Sequence, residues 1–304
     1  MQLPNLLIIG AAKAGTTTLY DLLIGHKKVY MSFVKEPMFF SRDAYFQRGL
    51  QWYAQTFFAN SEAYPVRGEA TPHYLYWAEK VAPRIRESMP DAPIKFIVIL
   101  RDPVERAYSW YWNMIKEGEE DLSFEDALAR EPERLESNDG DLRSKGSMIF
   151  GYQKGGMYAR QIKEFLKVFP RESFHFLLQD DLRTPQSEAL TSLYGFLGFP
   201  ANLVGDALAK RNPSTLPYSR TLQGWLRSQS RVKETAKRLL PFRFRYSLKK
   251  YLTDRNTRTF AYPEMNVHTR VELRGKFATE IAELQALLGR DLSHWLSSGD
   301  KSSD

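Results

Sequence analysis

The opening run Leu6-Leu7-Ile8-Ile9-Gly10, continued by Ala11-Ala12-Lys13-Ala14-Gly15-Thr16-Thr17-Thr18, constrains the fold of this chain more than any other stretch. A short apolar segment ends on glycine, and a loop of small residues with one lysine follows. An amphipathic segment comes next. This order predicts a buried strand, an anion-cradling loop and a helix over Thr16–Ile24. Glycine lets a backbone come close to an anion, and the first N–H groups of a helix have no partners within it. The ATPase pattern is G-x-x-x-x-G-K-[ST]. Gly10 and Gly15 keep its spacing, but Thr16 stands where the lysine belongs and Lys13 lies inside the loop. The lysine after the second glycine is the one that reaches the β- and γ-phosphates. Its displacement argues against a nucleoside triphosphate and for a shorter anionic group.

The rest of the chain alternates strand and helix patterns. Residues 66–69 and 94–100 read as strands, as does Phe174–Leu178. Ala78–Ser88 reads as a helix, as do residues 103–116, 156–169 and 187–197. Such alternation predicts an α/β fold with a parallel sheet and helices on both faces. Residues 117–147 read as polar and irregular around a short helix at Phe124–Ala129. Residues 253–267 read as a long loop and 271–288 as a helix. With no repeat and no clean linker, the 304 residues are expected to form a single domain, with a frayed tail from 297 to 304. The net charge of +7 fits an anionic ligand, polymer or membrane surface without choosing among them. The chain has no cysteine, so disulfides, thiolate metal sites and a cysteine nucleophile are excluded. No signal core and no bilayer-length apolar run is present, and a cytoplasmic protein is expected. The basic stretch 227–250 is read as a solvated face, with an anionic glycan or lipid surface as the other reading.

A second stretch carries chemistry: Ile97-Val98-Ile99-Leu100-Arg101-Asp102-Pro103, then Val104-Glu105-Arg106-Ala107-Tyr108-Ser109. Open α/β sheets bind ligands at the carboxyl ends of their strands, where Arg101 falls. Ser109 lies about two turns into the next helix, and an arginine fork with a hydroxyl can hold a phosphate.

The Gly10–Thr18 loop, the Arg101…Ser109 segment and a late arginine-rich loop together resemble the sulfotransferases that use 3′-phosphoadenosine 5′-phosphosulfate (PAPS). The resemblance is closest to heparan-sulfate-type N- and 3-O-sulfotransferase domains. Lys35-Glu36-Pro37-Met38-Phe39-Phe40, Gly68-Glu69-Ala70-Thr71-Pro72, Gly156-Met157-Tyr158-Ala159 and Tyr262-Pro263-Glu264-Met265 match in order along almost the whole chain. The resemblance implies a P-loop-like three-layer fold and PAPS as donor, with adenosine 3′,5′-bisphosphate as product and no required metal. Lys13, Ala14, Gly15, Thr16, Thr17 and Thr18 would hold the 5′-phosphosulfate, and Arg101 and Ser109 the 3′-phosphate. Arg255 or Arg258 would close over the nucleotide from a loop that lacks the family's glycine. Glu36 would be the general base and Lys13 would stabilise the leaving phosphate. On the acceptor side stand Lys35, Glu69, His73, Tyr74 and Tyr158. The implied acceptor is a hydroxyl, or an amine, on a carbohydrate-containing molecule, with a small-molecule, lipid or polyketide alcohol as the alternative. His26 is expected to end the first helix as a partly cationic cap. Two other classes remain open from the residues alone, a P-loop kinase or NTPase and a non-enzymatic binder of acidic polymers. Neither a nucleic-acid partner nor a transmembrane segment is expected.

Overall fold

The computed structural model describes residues 1–137, 146–182, 188–199, 215–217 and 242–297. Five strands form one parallel sheet: β1 (Leu6–Gly10), β2 (Val29–Met31), β3 (Val66–Ala70), β4 (Lys95–Leu100) and β5 (Phe174–Leu178). Their spatial order is β2-β3-β1-β4-β5, so β1 is central. Its Leu6 stands opposite Gly68 on one side and Lys95 on the other. Parallel neighbours need long crossovers. These contain α1 (Thr16–Ile24), then α2 (Asp43–Phe46) and α3 (Gly49–Phe57), then α4 (His73–Tyr76) and α5 (Ala78–Ser88). Between β4 and β5 come α6 (Pro103–Glu117), α7 (Phe124–Ala129), α8 (Glu131–Ser137) and α9 (Tyr158–Leu166). After β5 the chain forms α10 (Glu188–Leu197), β6 (Thr215–Pro217), α11 (Phe242–Arg255), β7 (Thr257–Thr259) and α12 (Val267–Leu288).

The side-chain period of a strand divides the core in two. Leu7, Ile9, Phe96, Val98 and Leu100 belong to one cluster, with Val81, Ile85, Phe165 and Phe277. Leu6, Ile8, Ile97, Ile99 and Leu177 belong to the other, with Leu19, Leu23 and Leu193. Each such buried side chain is worth about 1.5–3 kcal/mol over leaving it in water. Lys95, the polar exception in β4, donates from Nζ to the Phe196 carbonyl at 2.6 Å.

Several readings of the sequence change here. Within 117–147, α7 forms as expected, but α8 forms as well. The Glu131 carboxylate, at the start of α8, accepts the N–H groups of Gln153 and Lys154. The helix expected from 156 starts at Tyr158, because Lys154–Gly156 makes a 3₁₀ turn pressed against Arg106 and Phe277. The expected loop 253–267 contains the end of α11 and β7, and β7 pairs antiparallel with β6. β2 and α3 carried no recognised signal. His26 lies beyond the end of α1, stacked 4.4 Å from the Phe199 ring, and burial and Lys28 hold its imidazole below the usual range. It is therefore no cationic cap. Residues 227–241 of the basic stretch and 298–304 of the tail lie outside the described residues. Among the described residues no helix is long and apolar enough to cross a membrane.

The end of β1 is packed to contact. A Cβ on Gly10 would lie 2.5 Å from the Leu75 Cβ of α4. Gly10→Ala is expected to destabilise the chain by about 1–3 kcal/mol through overpacking, read as a lower urea midpoint at unchanged slope.

Candidate active site

Past Gly10 the chain turns toward β4, where the Ala11 N–H donates to the Ile99 carbonyl at 2.7 Å. Lys13 then takes a left-handed backbone (φ 70°), and Gly15 (φ 103°) caps α1 without a capping side chain. The first turn of α1 holds no acidic residue. Its N–H groups lack intrahelical acceptors and its dipole favours an anion there. Arg101 follows the last residue of β4. One guanidinium nitrogen lies 3.4 Å from the Lys13 carbonyl, and the other lies 3.6 Å from a Glu105 oxygen. Asp102 caps α6 by accepting the Val104 and Glu105 N–H groups, and Pro103 supplies a first helical position that needs no donor. The Tyr158 hydroxyl donates to the Arg101 carbonyl at 3.1 Å. Arg101 is thus braced at its backbone and at its guanidinium.

The opposite wall comes from the segment after β2. Ser32 donates its N–H to the Gly68 carbonyl and Glu36 to the Ala70 carbonyl, so the chain continues alongside β3. Glu36 (φ 69°) and Met38 (φ 57°) both have left-handed backbones. With Lys13, they make three of the four non-glycine residues with positive φ among those described. Strain of this kind collects where function over-determines the backbone. One Glu36 oxygen pairs with Lys35 Nζ at 2.9 Å, and the other stands 3.9 Å from His73 Nδ1.

These residues line one cavity of 360 Å³: Lys13, Gly15, Thr16, Thr17 and Thr18, Lys35, Glu36 and His73, Arg101 and Ser109. Trp110, Asn113, Glu117 and Gln179 line it too and were missed in the sequence. A signal for two of them existed. Asn113 and Glu117 follow Ser109 at four-residue steps and make one polar stripe along α6, with Asn113 donating to Glu117 at 3.2 Å. A neighbouring cavity of 490 Å³ shares Arg101 and Gln179 as a wall and is also lined by Arg270, Arg274 and Trp295.

The remaining candidates lie elsewhere. Ala14 is fully buried behind the loop. Tyr158 is also fully buried and reaches Arg101 rather than the cavity. Arg255 is exposed at the end of α11, with its guanidinium 5.2 Å from the Tyr251 ring. Arg258 is in β7, opposite Leu216, and its side chain lies outside the described residues. Glu69 and Tyr74 are fully buried next to the cavity. The Glu69 carboxylate accepts hydroxyl protons from Tyr53 at 2.5 Å, Thr71 at 2.5 Å and Tyr74 at 2.8 Å. Burial lifts its pKa to about 7 against those three donors, and the charge of Glu36 adds to the rise.

A sulfotransferase domain model matches residues 3–238. The chain belongs to the sulfotransferase family. It is 33% identical over 215 residues to the human bifunctional heparan sulfate N-deacetylase/N-sulfotransferase 3, covering 65% of this chain and 22% of that protein. It is 29% identical over 204 residues to the mouse heparan sulfate glucosamine 3-O-sulfotransferase 5, covering 66% of this chain and 55% of that protein. The chain thus spans about half or less of the length of these curated relatives. The crystal structure of a sulfotransferase from Alicyclobacillus acidocaldarius superposes with a TM-score of 0.69 at 26% identity, covering 98% of this chain and 100% of that one. The sulfotransferase fold expected from the resemblance is therefore the fold observed, a parallel sheet with helices on both faces.

The raised Glu69 pKa has a thermodynamic consequence. Between the ordinary value of 4.5 and about 7, the folded chain holds a proton that the unfolded chain has released. This contribution to stability is complete below pH 4.5 and is lost as the pH rises to 7. Glu69→Gln removes it, so the melting temperature of the variant should gain on that of the wild type from pH 5 to pH 8, as read by calorimetric scans of both.

Proposed function

We propose that this chain transfers a sulfuryl group from PAPS to a hydroxyl, with an amine as second choice, on a carbohydrate-containing acceptor. The observation that carries this reading is the convergence of Lys13, the first turn of α1, Arg101, Ser109 and Glu36 on one 360 Å³ cavity. The heparan sulfate relatives support the choice of acceptor class. In the reading, the 5′-phosphosulfate lies against Lys13 and the N–H groups of Thr16, Thr17 and Thr18. Ser109 and the Arg101 fork take the 3′-phosphate.

Transfer forms a bond from the acceptor oxygen to sulfur and breaks the bond from sulfur to the leaving 5′-phosphate oxygen. The acceptor proton goes to Glu36, whose carboxylate Lys35 orients at 2.9 Å. Negative charge grows on the leaving phosphate, where Lys13 and the helix N-terminus stabilise it. His73, buried 3.9 Å from Glu36, would steady the carboxylate or meet the acceptor. Positioning and electrostatics do the work, as in phosphoryl transfer.

Titration calorimetry with adenosine 3′,5′-bisphosphate, without metal, tests the donor site. Lys13→Ala and Arg101→Ala are each expected to weaken binding at least ~10-fold, the loss of one charge-assisted contact. Binding of magnesium-ATP with no bisphosphate affinity would overturn the reading in favour of a kinase. Glu36→Gln should leave bisphosphate affinity unchanged and lower turnover about 10²–10⁴-fold, read as bisphosphate release over a panel of glycan acceptors.

A further inference from the structure

A fully buried carboxylate normally pairs with a cation or a metal. Among the described residues no lysine or arginine pairs with Glu69, and its partners are the hydroxyls of Tyr53, Thr71 and Tyr74. Two of those hydroxyls have a second task. Thr71 Oγ1 accepts the Met38 N–H at 3.3 Å, and the Tyr74 oxygen accepts the Phe40 N–H at 3.3 Å. A hydroxyl has one proton. For Thr71 and Tyr74 to offer lone pairs to the loop, their protons must point away from it, and Glu69 is where they go. Met38 and Phe40 follow Glu36 in the chain, and Met38 shares its left-handed conformation.

We propose that Glu69 is the positioning residue for Glu36: by taking the hydroxyl protons of Thr71 and Tyr74 it turns their lone pairs to the Met38 and Phe40 N–H groups and holds the strained segment that presents the base. Glu69 itself touches neither donor nor acceptor. The proposal rests on the reading of Glu36 as the base, but the tether can be tested without that reading. Protonation of Glu69 on the oxygen that faces Thr71 or Tyr74 would turn the carboxyl into a donor toward that hydroxyl and release one tether, and the pKa of about 7 places that change within the physiological range. The groups facing Glu69 are the three hydroxyls and the Glu36 carboxylate, the latter held by Lys35 and close to His73.

Amide hydrogen exchange in the intact chain, resolved by residue, gives the test. In Glu69→Gln a carboxamide with one acceptor oxygen replaces two. Exchange at Met38 and Phe40 is expected to speed up about 10-fold or more, with Ile8 and Ile97 in the sheet unchanged. In the wild-type chain the protection of the Met38 and Phe40 amides, corrected for intrinsic exchange, should change between pH 6 and pH 8, and in Glu69→Gln that pH dependence should disappear, which loss of packing alone does not produce. Unchanged exchange at both amides in the variant overturns the proposal. Should the variant fail to fold, the wild-type chain decides. Corrected for intrinsic exchange, protection of Met38 or Phe40 must be greater at pH 8 than at pH 6, and equal protection at both amides overturns the proposal. Failure of the base reading would show instead as full turnover in Glu36→Gln, with the exchange result intact.

Discussion

The architecture depends on the confinement of β1. This strand has parallel partners along both edges and apolar clusters against both faces, so its backbone is satisfied and its side chains are dry until Gly10. The next N–H is taken by the Ile99 carbonyl of β4, which turns the loop across the top of the sheet. Thr71, just past β3, donates its N–H back to Ile8. Backbone bonds therefore fix the loop after β1 to β4 and the loop after β3 to β1, and the Arg101 side chain joins the loop after β4 to Lys13. Lys13, His73 and Arg101 share a cavity because those three strands end side by side.

The two glutamates beside the cavity show how surroundings divide identical groups. Glu36 keeps part of its surface in solvent and pairs with a lysine. Glu69 is sealed among aromatic rings and is met only by hydroxyls among its side-chain partners. The first arrangement suits a carboxylate that exchanges protons with a ligand. The second suits one that organises its neighbours.

Much of this was legible in the sequence because it was local. The Thr16–Ile24 helix, the strand at Phe174–Leu178 and the alternating core of β4 follow from periodicity and from the apolar runs. Lys13, Arg101, Ser109 and Glu36, which line one cavity, could be singled out because each lies in a short motif, three of them outside the regular elements and Ser109 about two turns into α6. Three kinds of feature escaped. β2 is only three residues long, too short for a period to show. The α6 stripe went unread because the four-residue steps from Ser109 to Asn113 and Glu117 give one helix face, but which face meets the cavity is set by tertiary packing. The burial of Glu69, Tyr74 and Tyr158 was out of reach because it comes from residues distant in the chain. Tyr53, for example, reaches Glu69 from α3 across sixteen positions.

The stripe on α6 also acts as a ruler. At about 1.5 Å of rise per residue, the two steps from Ser109 through Asn113 to Glu117 cover roughly 12 Å of cavity wall on one rigid rod. All three residues line the cavity that Lys13 and Arg101 also line. Because the rod is a single helix pinned at its start by Asp102 and stopped at its end by Gly118 in a left-handed turn, the distance between the two ends is set by residue count alone. Side chains along the rod can then be exchanged while the spacing between its two ends stays constant.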